Sequence, residues 1–399
     1  MIKSNHIGNG KGDALLDDTA RLWLWLNYAT NTRPKLFYEL LSRFGDVETA
    51  YESVRARDLE LLNDAPDAVR ERLIAASEPR FLDRYCAWLD RNGITVLTAE
   101  SDDYPALLSE IFDPPSVLFV KGRLPKEAPL PIAVVGARTC TEYGRDVAKL
   151  LSEQLCERGA TIVTGLAAGI DAAAARGALS CGSADCPVVG VLGCGIDQVY
   201  PQDHAALYAE VAERGALVTE FLPKTPPLAQ NFPIRNRILS GLSRGVLVIE
   251  AGERSGASIT ADCAHEQGRE VFAVPGRITD PMSVGTNRMI AHGEAKAVTS
   301  AADVLCEFTD DAGDDVLNGA AKQVTFSSLG AAGQEIYMAL LQGEKDADEL
   351  LDWIDCTPQE LNAALTRLLF SEVIKQLPGR IYALDTIHTV VTFDRKEKE

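Results

Sequence analysis

The fold is decided by Asn231-Phe232-Pro233-Ile234-Arg235-Asn236-Arg237, then by Val246-Leu247-Val248-Ile249 and Ser255-Gly256-Ala257-Ser258-Ile259-Thr260-Ala261. The second segment is a β-branched and leucine run, typical of a strand covered on both faces. The segments on either side have the composition of helices, and the later helix is entered through Ser255-Gly256. Two arginines near the end of a buried parallel strand favour an anionic ligand, because such strands bind ligands at their carboxyl ends.

Strand and helix patterns alternate on both sides of this stretch, from residue 131 to residue 274. Strands are predicted over residues 132–135, 160–164, 188–192, 216–219, 246–249 and 270–274. Predicted helices follow from about residues 144, 170 and 203. Regular β-α repeats of this kind predict an α/β fold with a Rossmann-like doubly wound parallel sheet.

Smaller units are predicted on each side of the sheet. Helical spacing of apolar residues over 17–92 predicts a small helical domain, of the SAM or helix-hairpin-helix type. The extended Rossmann-like domain is assigned to 93–309, and an acidic linker to 310–328. Three helices and a hairpin over 329–386 have the pattern of a winged helix. Residues 1–16 are expected to be a flexible start, and 387–399 a charged tail.

Composition restricts the function classes. The net charge of −19 argues against a protein that coats nucleic acid over its whole surface. Residues 310–399 hold 8 Lys+Arg against 17 Asp+Glu, so a protein contact is favoured over DNA binding for the winged helix. No apolar run reaches the ~18 residues of a membrane span. The nine cysteines form no C-x-x-C pair. We therefore expect a cytoplasmic protein without a metal site or cofactor.

Glycine follows the first three strands of the predicted sheet. Glycine lets a ligand approach the backbone, and N–H groups at a helix N-terminus favour phosphate. A single turn of this kind is better explained as a tight βα connection. Three such turns, together with a cation, favour a phosphate site. The candidate phosphate-binding residues are Gly136, Arg138, Thr139, Tyr143, Gly144, Gly165, Gly169, Arg235, Asn236, Arg237, Ser255 and Gly256.

Other motifs are weaker. A dinucleotide fingerprint begins at Gly193-Cys194-Gly195, but Gln198 occupies the third glycine position. Phe232 is a candidate for base stacking, although an aromatic residue before a helix is more often a packing staple. The carboxylates of Asp171, Glu220 and Glu250 follow predicted strands, and we expect them to cap helices or pair with arginines rather than to catalyse. No catalytic residue is assigned.

Seven motifs occur in order along the chain. They are Gly136-Ala137-Arg138, Thr141-Glu142-Tyr143-Gly144, Gly165-Leu166-Ala167-Ala168-Gly169-Ile170-Asp171, Val199-Tyr200-Pro201, Phe232-Pro233-Ile234-Arg235-Asn236-Arg237, Ser255-Gly256 with Ile259-Thr260-Ala261, and Val274-Pro275-Gly276. In these motifs the chain resembles the DNA-processing protein A (DprA/Smf) family. The resemblance covers about residues 18–385, including the helical front domain and the winged-helix end.

The resemblance implies a cytoplasmic, homodimeric protein of natural transformation and DNA uptake in competence. Such a protein protects incoming single-stranded DNA and loads the RecA recombinase onto it, without catalysis. Arg138 and the glycine turns would hold phosphates, and Arg235, Asn236 and Arg237 would shape the pocket. Two positions depart from the family pattern. Ala175 stands where relatives usually have His, and Ala229 where some have a DNA-contacting lysine, for which Lys224 is an alternative cation.

Two other function classes stay open. A nucleotide-binding hydrolase, similar to nucleotide N-glycosidases, could use a similar Rossmann-like fold. Such enzymes carry Pro-Gly-Gly-x-Gly-Thr before a Glu, and the corresponding turn here, Ala251-Gly252-Glu253-Arg254-Ser255-Gly256, differs. A structural adaptor acting through the winged helix would leave the sheet pocket empty.

Overall fold

A computed structural model describes residues 16–125, 130–182, 187–308, 322–354, 356–371, 373–377, 379–384 and 389–392. The expected flexible start (except residue 16), residues 310–321 of the expected linker and most of the expected tail lie outside these ranges. The chain divides into two compact units, with the boundary between Leu305 and Cys306.

The first unit is built on a nine-stranded sheet. Its strands are β1 (Ile94–Thr98), β2 (Val117–Gly122), β3 (Leu130–Val135), β4 (Ala160–Thr164), β5 (Val188–Val191), β6 (Ala216–Thr219), β7 (Gly245–Val248), β8 (Glu270–Ala273) and β9 (Lys296–Ala297). Their spatial order is β1-β2-β6-β5-β4-β3-β7-β8-β9. Strand β2 pairs antiparallel with β1 and β6, and the other neighbours are parallel. The predicted large, mostly parallel sheet is confirmed.

The strand order reverses between β3 and β7. From β3 the chain steps outward through β4, β5 and β6, and it then returns to place β7 on the other side of β3. In doubly wound sheets, a crevice for ligands opens at this switch point, outside the carboxyl ends of the strands. The fully buried strand β7 lies beside it, as its apolar run predicted.

Helices cover the sheet and precede it. They are α1 (Asp18–Thr30), α2 (Pro34–Phe44), α3 (Val47–Arg55), α4 (Asp67–Ala76), α5 (Pro79–Arg91), α6 (Ala106–Ser109), α7 (Glu142–Glu157), α8 (Ile170–Ser180), α9 (Ala205–Arg214), α10 (Asn231–Gly241), α11 (Gly256–Glu266), α12 (Val284–Ala291) and α13 (Ala301–Leu305). The five helices before β1 bury Trp23, Trp25 and Phe37. In the described ranges, every helix is too short or too polar to cross a membrane.

Among its described residues, the second unit has three α-helices and two small sheets. The elements are β10 (Lys322–Thr325), α14 (Ala331–Leu340), β11 (Lys345–Asp346), α15 (Ala347–Trp353), α16 (Pro358–Phe370), β12 (Ile374–Leu377), β13 (Ile381–Leu384) and β14 (Thr389–Thr392). Helix α16 begins with a capping box, in which Thr357 and Glu360 exchange hydrogen bonds. Strand β13 pairs antiparallel with β11 and β12.

Strands β10 and β14 differ from the sequence expectation. They pair in parallel, although β10 falls in the stretch predicted as a linker (310–328) and β14 in the predicted tail (387–399). Thr389-Val390-Val391-Thr392 consists only of β-branched residues, which favour a strand. The acidic residues behind the linker prediction and the charged residues behind the tail prediction lie in the neighbouring stretches.

The packing of α7 against α8 generates a stability prediction. A Cβ at Gly177 would overlap the carbonyl oxygen of Lys149, so we expect Gly177→Ala to lower the free energy of unfolding by about 1–3 kcal/mol. Gly182→Ala is the control, because a Cβ there would have no described atom within 4 Å. Thermal unfolding followed by circular dichroism measures both variants. Equal stability of the two would contradict this account of the helix contact.

Candidate functional site

A cavity of about 620 Å³ opens at the switch point of the sheet. Its walls come from the turns that follow β3, β4, β5, β6 and β7, all at the carboxyl ends of parallel strands. The predicted site residues on its walls are Gly136, Arg138, Thr139, Phe232, Arg235, Asn236, Ser255 and Gly256. Tyr143, Gly144, Gly165, Gly169, Arg237 and Lys224 are not among the lining residues.

Arg235 is a buried part of the wall, with 3% of its surface exposed. Its Nη1 donates to the carbonyl oxygen of Gly165 at 3.1 Å and to that of Val191. Its Nε donates to Asn236 Oδ1 at 3.3 Å. Burial lowers the pKa of Arg235, and the negative charge of Asp171 opposes this shift. Because its donors are directed into the protein, Arg235 shapes the cavity from within.

Asp171 is a buried carboxylate close to this cation. Burial raises the pKa of the Asp171 carboxyl, whereas the charge of Arg235 and backbone N–H groups lower it. A Cβ at Gly165 would lie 2.7 Å from Asp171 Oδ2 and 2.5 Å from Arg235 Nη2. Gly165 therefore leaves room for both side chains.

Gly169 joins two turns of the site. Its φ of +79° lies in the left-handed region, and a Cβ would overlap the carbonyl oxygens of Ala137 and Arg138. The next residue, Ile170, donates its N–H to Ala137 at 3.2 Å. Gly169 thus fixes the turn that carries Arg138, although it does not itself line the cavity.

Arg237 is buried, although the sequence placed it with the cations that shape the pocket. Its Nη2 lies 2.6 Å from Glu220 Oε2, and its Nε lies 3.0 Å from Asp113 Oδ2. Glu220 is buried, and burial raises the pKa of its carboxyl while Arg237 lowers it. Arg237 is therefore an internal ion-pair partner and not a rim cation. Residues two apart on a helix point to different sides, which separates it from Arg235.

The N-terminus of α7 is occupied by a protein carboxylate. Glu250 accepts the N–H of Thr141 at 2.9 Å and also its hydroxyl. A Cβ at Gly144 would overlap the Glu250 carboxyl group. Gly144 therefore admits Glu250, and the adjoining Tyr143 is a half-exposed residue outside the cavity lining.

The N-terminus of α11 lies on the cavity wall. Ser255 caps this helix, since its Oγ accepts the N–H of Ala257 at 3.2 Å. Asn236 Nδ2 donates to the carbonyl oxygen of Gly256 at 3.4 Å and so ties α10 to α11. Arg254, an exposed cation just before the cap, also lines the cavity. Arg254 was not among the site residues expected from the sequence, although a cation directly before a capping Ser indicates such a position.

Phe232 forms an aromatic part of the wall. The Arg138 guanidinium carbon lies 4.7 Å from the Phe232 ring centroid, and the Tyr200 ring centroid lies 5.5 Å away. A Cβ at Gly193 would lie 2.9 Å from Phe232 Cδ1, so glycine there seats the ring. Tyr200, 37% exposed, was quoted in a motif but not assigned to the site. Arg138 itself is exposed.

The two positions that depart from the expected motif pattern, Ala175 and Ala229, lie in different environments. Ala175 is fully buried in α8, whereas Ala229 is exposed and lines the cavity. Lys224, the expected auxiliary cation, lines a different cavity formed with the N-terminal helices. Lys224 could therefore contact an anion in that second cavity, but it does not line the cavity at the switch point.

Comparisons with known proteins agree on one family. The model of the DNA recombination-mediator protein A family matches residues 95–309. Protein Smf of Escherichia coli (strain K12) is 46% identical over 219 residues, 55% of this chain and 58% of that protein. The putative DNA processing protein DprA of Mycobacterium tuberculosis (strain ATCC 25618 / H37Rv) is 36% identical over 384 residues, 92% of this chain and 95% of its own length.

A solved structure is also similar. The X-ray structure of DNA processing protein A from Streptococcus pneumoniae aligns with a TM-score of 0.57 and 34% identity. The alignment covers 73% of this chain and 99% of that one. Its agreement with the mixed α/β architecture supports the fold class predicted from the sequence.

The buried charge of the wall generates a prediction on stability. We expect Arg235→Ala to lower the free energy of unfolding by about 2–5 kcal/mol, because it leaves the buried carbonyl oxygens of Gly165 and Val191 without this donor. Arg254→Ala removes an exposed arginine from the same cavity, and we expect a change within about 0.5 kcal/mol. Urea denaturation followed by tryptophan fluorescence compares them. A small loss for Arg235→Ala would show that the cation is not structural.

Proposed function

The chain belongs to the DNA recombination-mediator protein A family, and we propose that it binds single-stranded DNA in the cavity at the switch point of its sheet. The observation that carries the proposal is the N-terminus of α11 on the cavity wall, flanked by the exposed cations Arg138 and Arg254. Backbone N–H groups at a helix start and guanidinium groups are both suited to phosphate.

The other wall of the cavity suits the bases. Phe232 and Tyr200 present aromatic surface beside Arg138. Stacking on aromatic rings tolerates every base, so such a wall favours binding without sequence preference. The site thus combines phosphate ligands with a stacking surface, and Arg235 and Asn236 hold the two in place from inside.

The proposal includes no catalytic step. Each of the three carboxylates considered in the sequence has a protein partner: Asp171 accepts backbone N–H groups of Gly165 and Ala167, Glu220 pairs with Arg237, and Glu250 binds Thr141. A carboxylate held in this way is poorly placed to activate water. We therefore propose a binding protein in preference to a nucleotide hydrolase.

We propose a wider role that rests on the family. The protein would act in the cytoplasm as a homodimer, protect DNA taken up in natural transformation and load the RecA recombinase onto it. We also propose that α14, α15 and α16 with β11, β12 and β13 act as a winged helix that contacts protein. The acidic composition of residues 310–399 supports a protein contact over DNA.

The central test is fluorescence anisotropy of a labelled oligo-dT strand at several salt concentrations. We expect Arg138→Ala and Arg254→Ala each to weaken binding and to flatten the log–log salt dependence by about 0.7, the value for one phosphate contact of a single strand. Arg176→Ala is the control, since Arg176 is exposed on α8 and does not line the cavity.

Binding that is unchanged in both variants would refute the phosphate assignment. Absence of binding by the unmodified protein at low salt would refute the proposed function altogether. Arg237→Ala separates the two arginine roles, because its effect should fall on stability through the unpaired Glu220.

The recombinase role has its own measurement. We expect the full chain to speed the DNA-dependent ATP hydrolysis of RecA on a strand already covered by a single-strand-binding protein. Arg138→Ala should reduce this stimulation in proportion to its loss of strand affinity. If RecA activity is the same with and without the chain, the loading role is excluded while strand binding stands.

A further inference from the structure

A second cavity, of about 750 Å³, lies between the N-terminal helices and the segment from β6 to α10. The helices contribute four aromatic side chains to it, Tyr28, Phe81, Tyr85 and Trp88, all partly buried. The ring centroids of Tyr28 and Phe81 lie 4.7 Å apart, and Tyr85 lies 6.0 Å from each. The cavity therefore has one continuous aromatic wall.

Cations surround this aromatic wall. Arg72 and Arg84 line the cavity from the helices, and Lys224 lines it from the opposite segment. Within the described ranges, none of these three forms an ion pair with a carboxylate, whereas Arg21, Arg43 and Arg70 of the same helices do. In a chain with a net charge of −19, three such cations around one cavity point to an anionic ligand.

Two further polar groups define the site. The Tyr85 hydroxyl is buried and has no hydrogen-bond partner among the described residues, so it can bond to a ligand. The carboxylate of Asp197 touches the same segment, but its Oδ1 accepts the backbone N–H of Lys224 at 2.7 Å. Asp197 is thus already engaged by the segment.

The two cavities share one stretch of backbone. Leu222 to Pro226 line the second cavity, and the next residue, Pro227, lines the first together with Ala229 and Phe232. Neighbouring Cα atoms are only about 3.8 Å apart, so the two cavities adjoin along this backbone. This continuity selects a long, flexible polyanion over a separate small molecule.

We propose that the single strand held at the switch point continues across residues 226–227 into this second cavity. Its bases stack on the aromatic wall of α1 and α5, and its phosphates face Arg84, Arg72 and Lys224. Aromatic side chains interleaved with cations are the recognised means of binding single strands without sequence preference. The inference rests on the proposed function, since it extends the path of the same strand.

The test is anisotropy with oligo-dT strands of increasing length, from 4 to 20 nucleotides. We expect Arg84→Gln to weaken binding of the 20-mer about fivefold or more and to flatten its salt dependence by about 0.7, with no effect on the 4-mer. Arg80→Gln is the matched control, being an exposed arginine on the same helix that does not line the cavity. Equal binding of the 20-mer by Arg84→Gln and the unmodified protein would overturn the inference.

A second readout reports contact directly. A 20-mer carrying photoreactive 4-thiothymidine should cross-link to peptides within residues 79–91 of the unmodified protein. Cross-links confined to the first cavity would overturn the inference. Arg138→Ala separates the extended path from strand binding in the first cavity. If Arg138→Ala weakens binding of both the 4-mer and the 20-mer while Arg84→Gln weakens neither, the strand binds in the first cavity and the extended path is refuted. If the unmodified protein binds no strand, the proposed function fails as well.

Discussion

The site depends on one buried cation, the guanidinium of Arg235. It ties the end of β4, through the Gly165 carbonyl, to the end of β5, through that of Val191. Burying a charge costs several kcal/mol unless partners satisfy it, and here the carbonyls, Asn236 and Asp171 do so. This requirement sets the shape of the crevice before any ligand enters.

The arginines near this end of the sheet form two groups. Arg235 and Arg237 are buried and bound to protein groups, whereas Arg138 and Arg254 are exposed and line the cavity. Asn236 connects Arg235 to helix α11, because its Oδ1 accepts from Arg235 and its Nδ2 donates to Gly256 at the start of α11. A rigid interior thus presents cations and a helix N-terminus at fixed positions, which suits a binding site without catalysis.

Local sequence patterns predicted the sheet because its strands are buried on both faces and therefore read as apolar runs. They also predicted the glycines at the strand ends, but they did not predict which side chains pack against those glycines. Gly144 admits Glu250, which is 109 residues away from its partner Thr141, and no local spacing reports such a pair. The separation of Arg235 from Arg237 was predictable, since two helical residues so spaced lie about 200° apart. The short strand at Thr389–Thr392 was hidden by its charged surroundings.

The most direct measurement is the structure of this chain with a short oligo-dT strand bound. We expect a phosphate at the N-terminus of α11, within hydrogen-bond distance of Arg138 or Arg254, and a base against Phe232 or Tyr200. We also expect Arg235 and Arg237 to keep their internal partners. A strand bound elsewhere with this cavity empty, or phosphates on Arg237 after its ion pair with Glu220 has opened, would contradict this expectation.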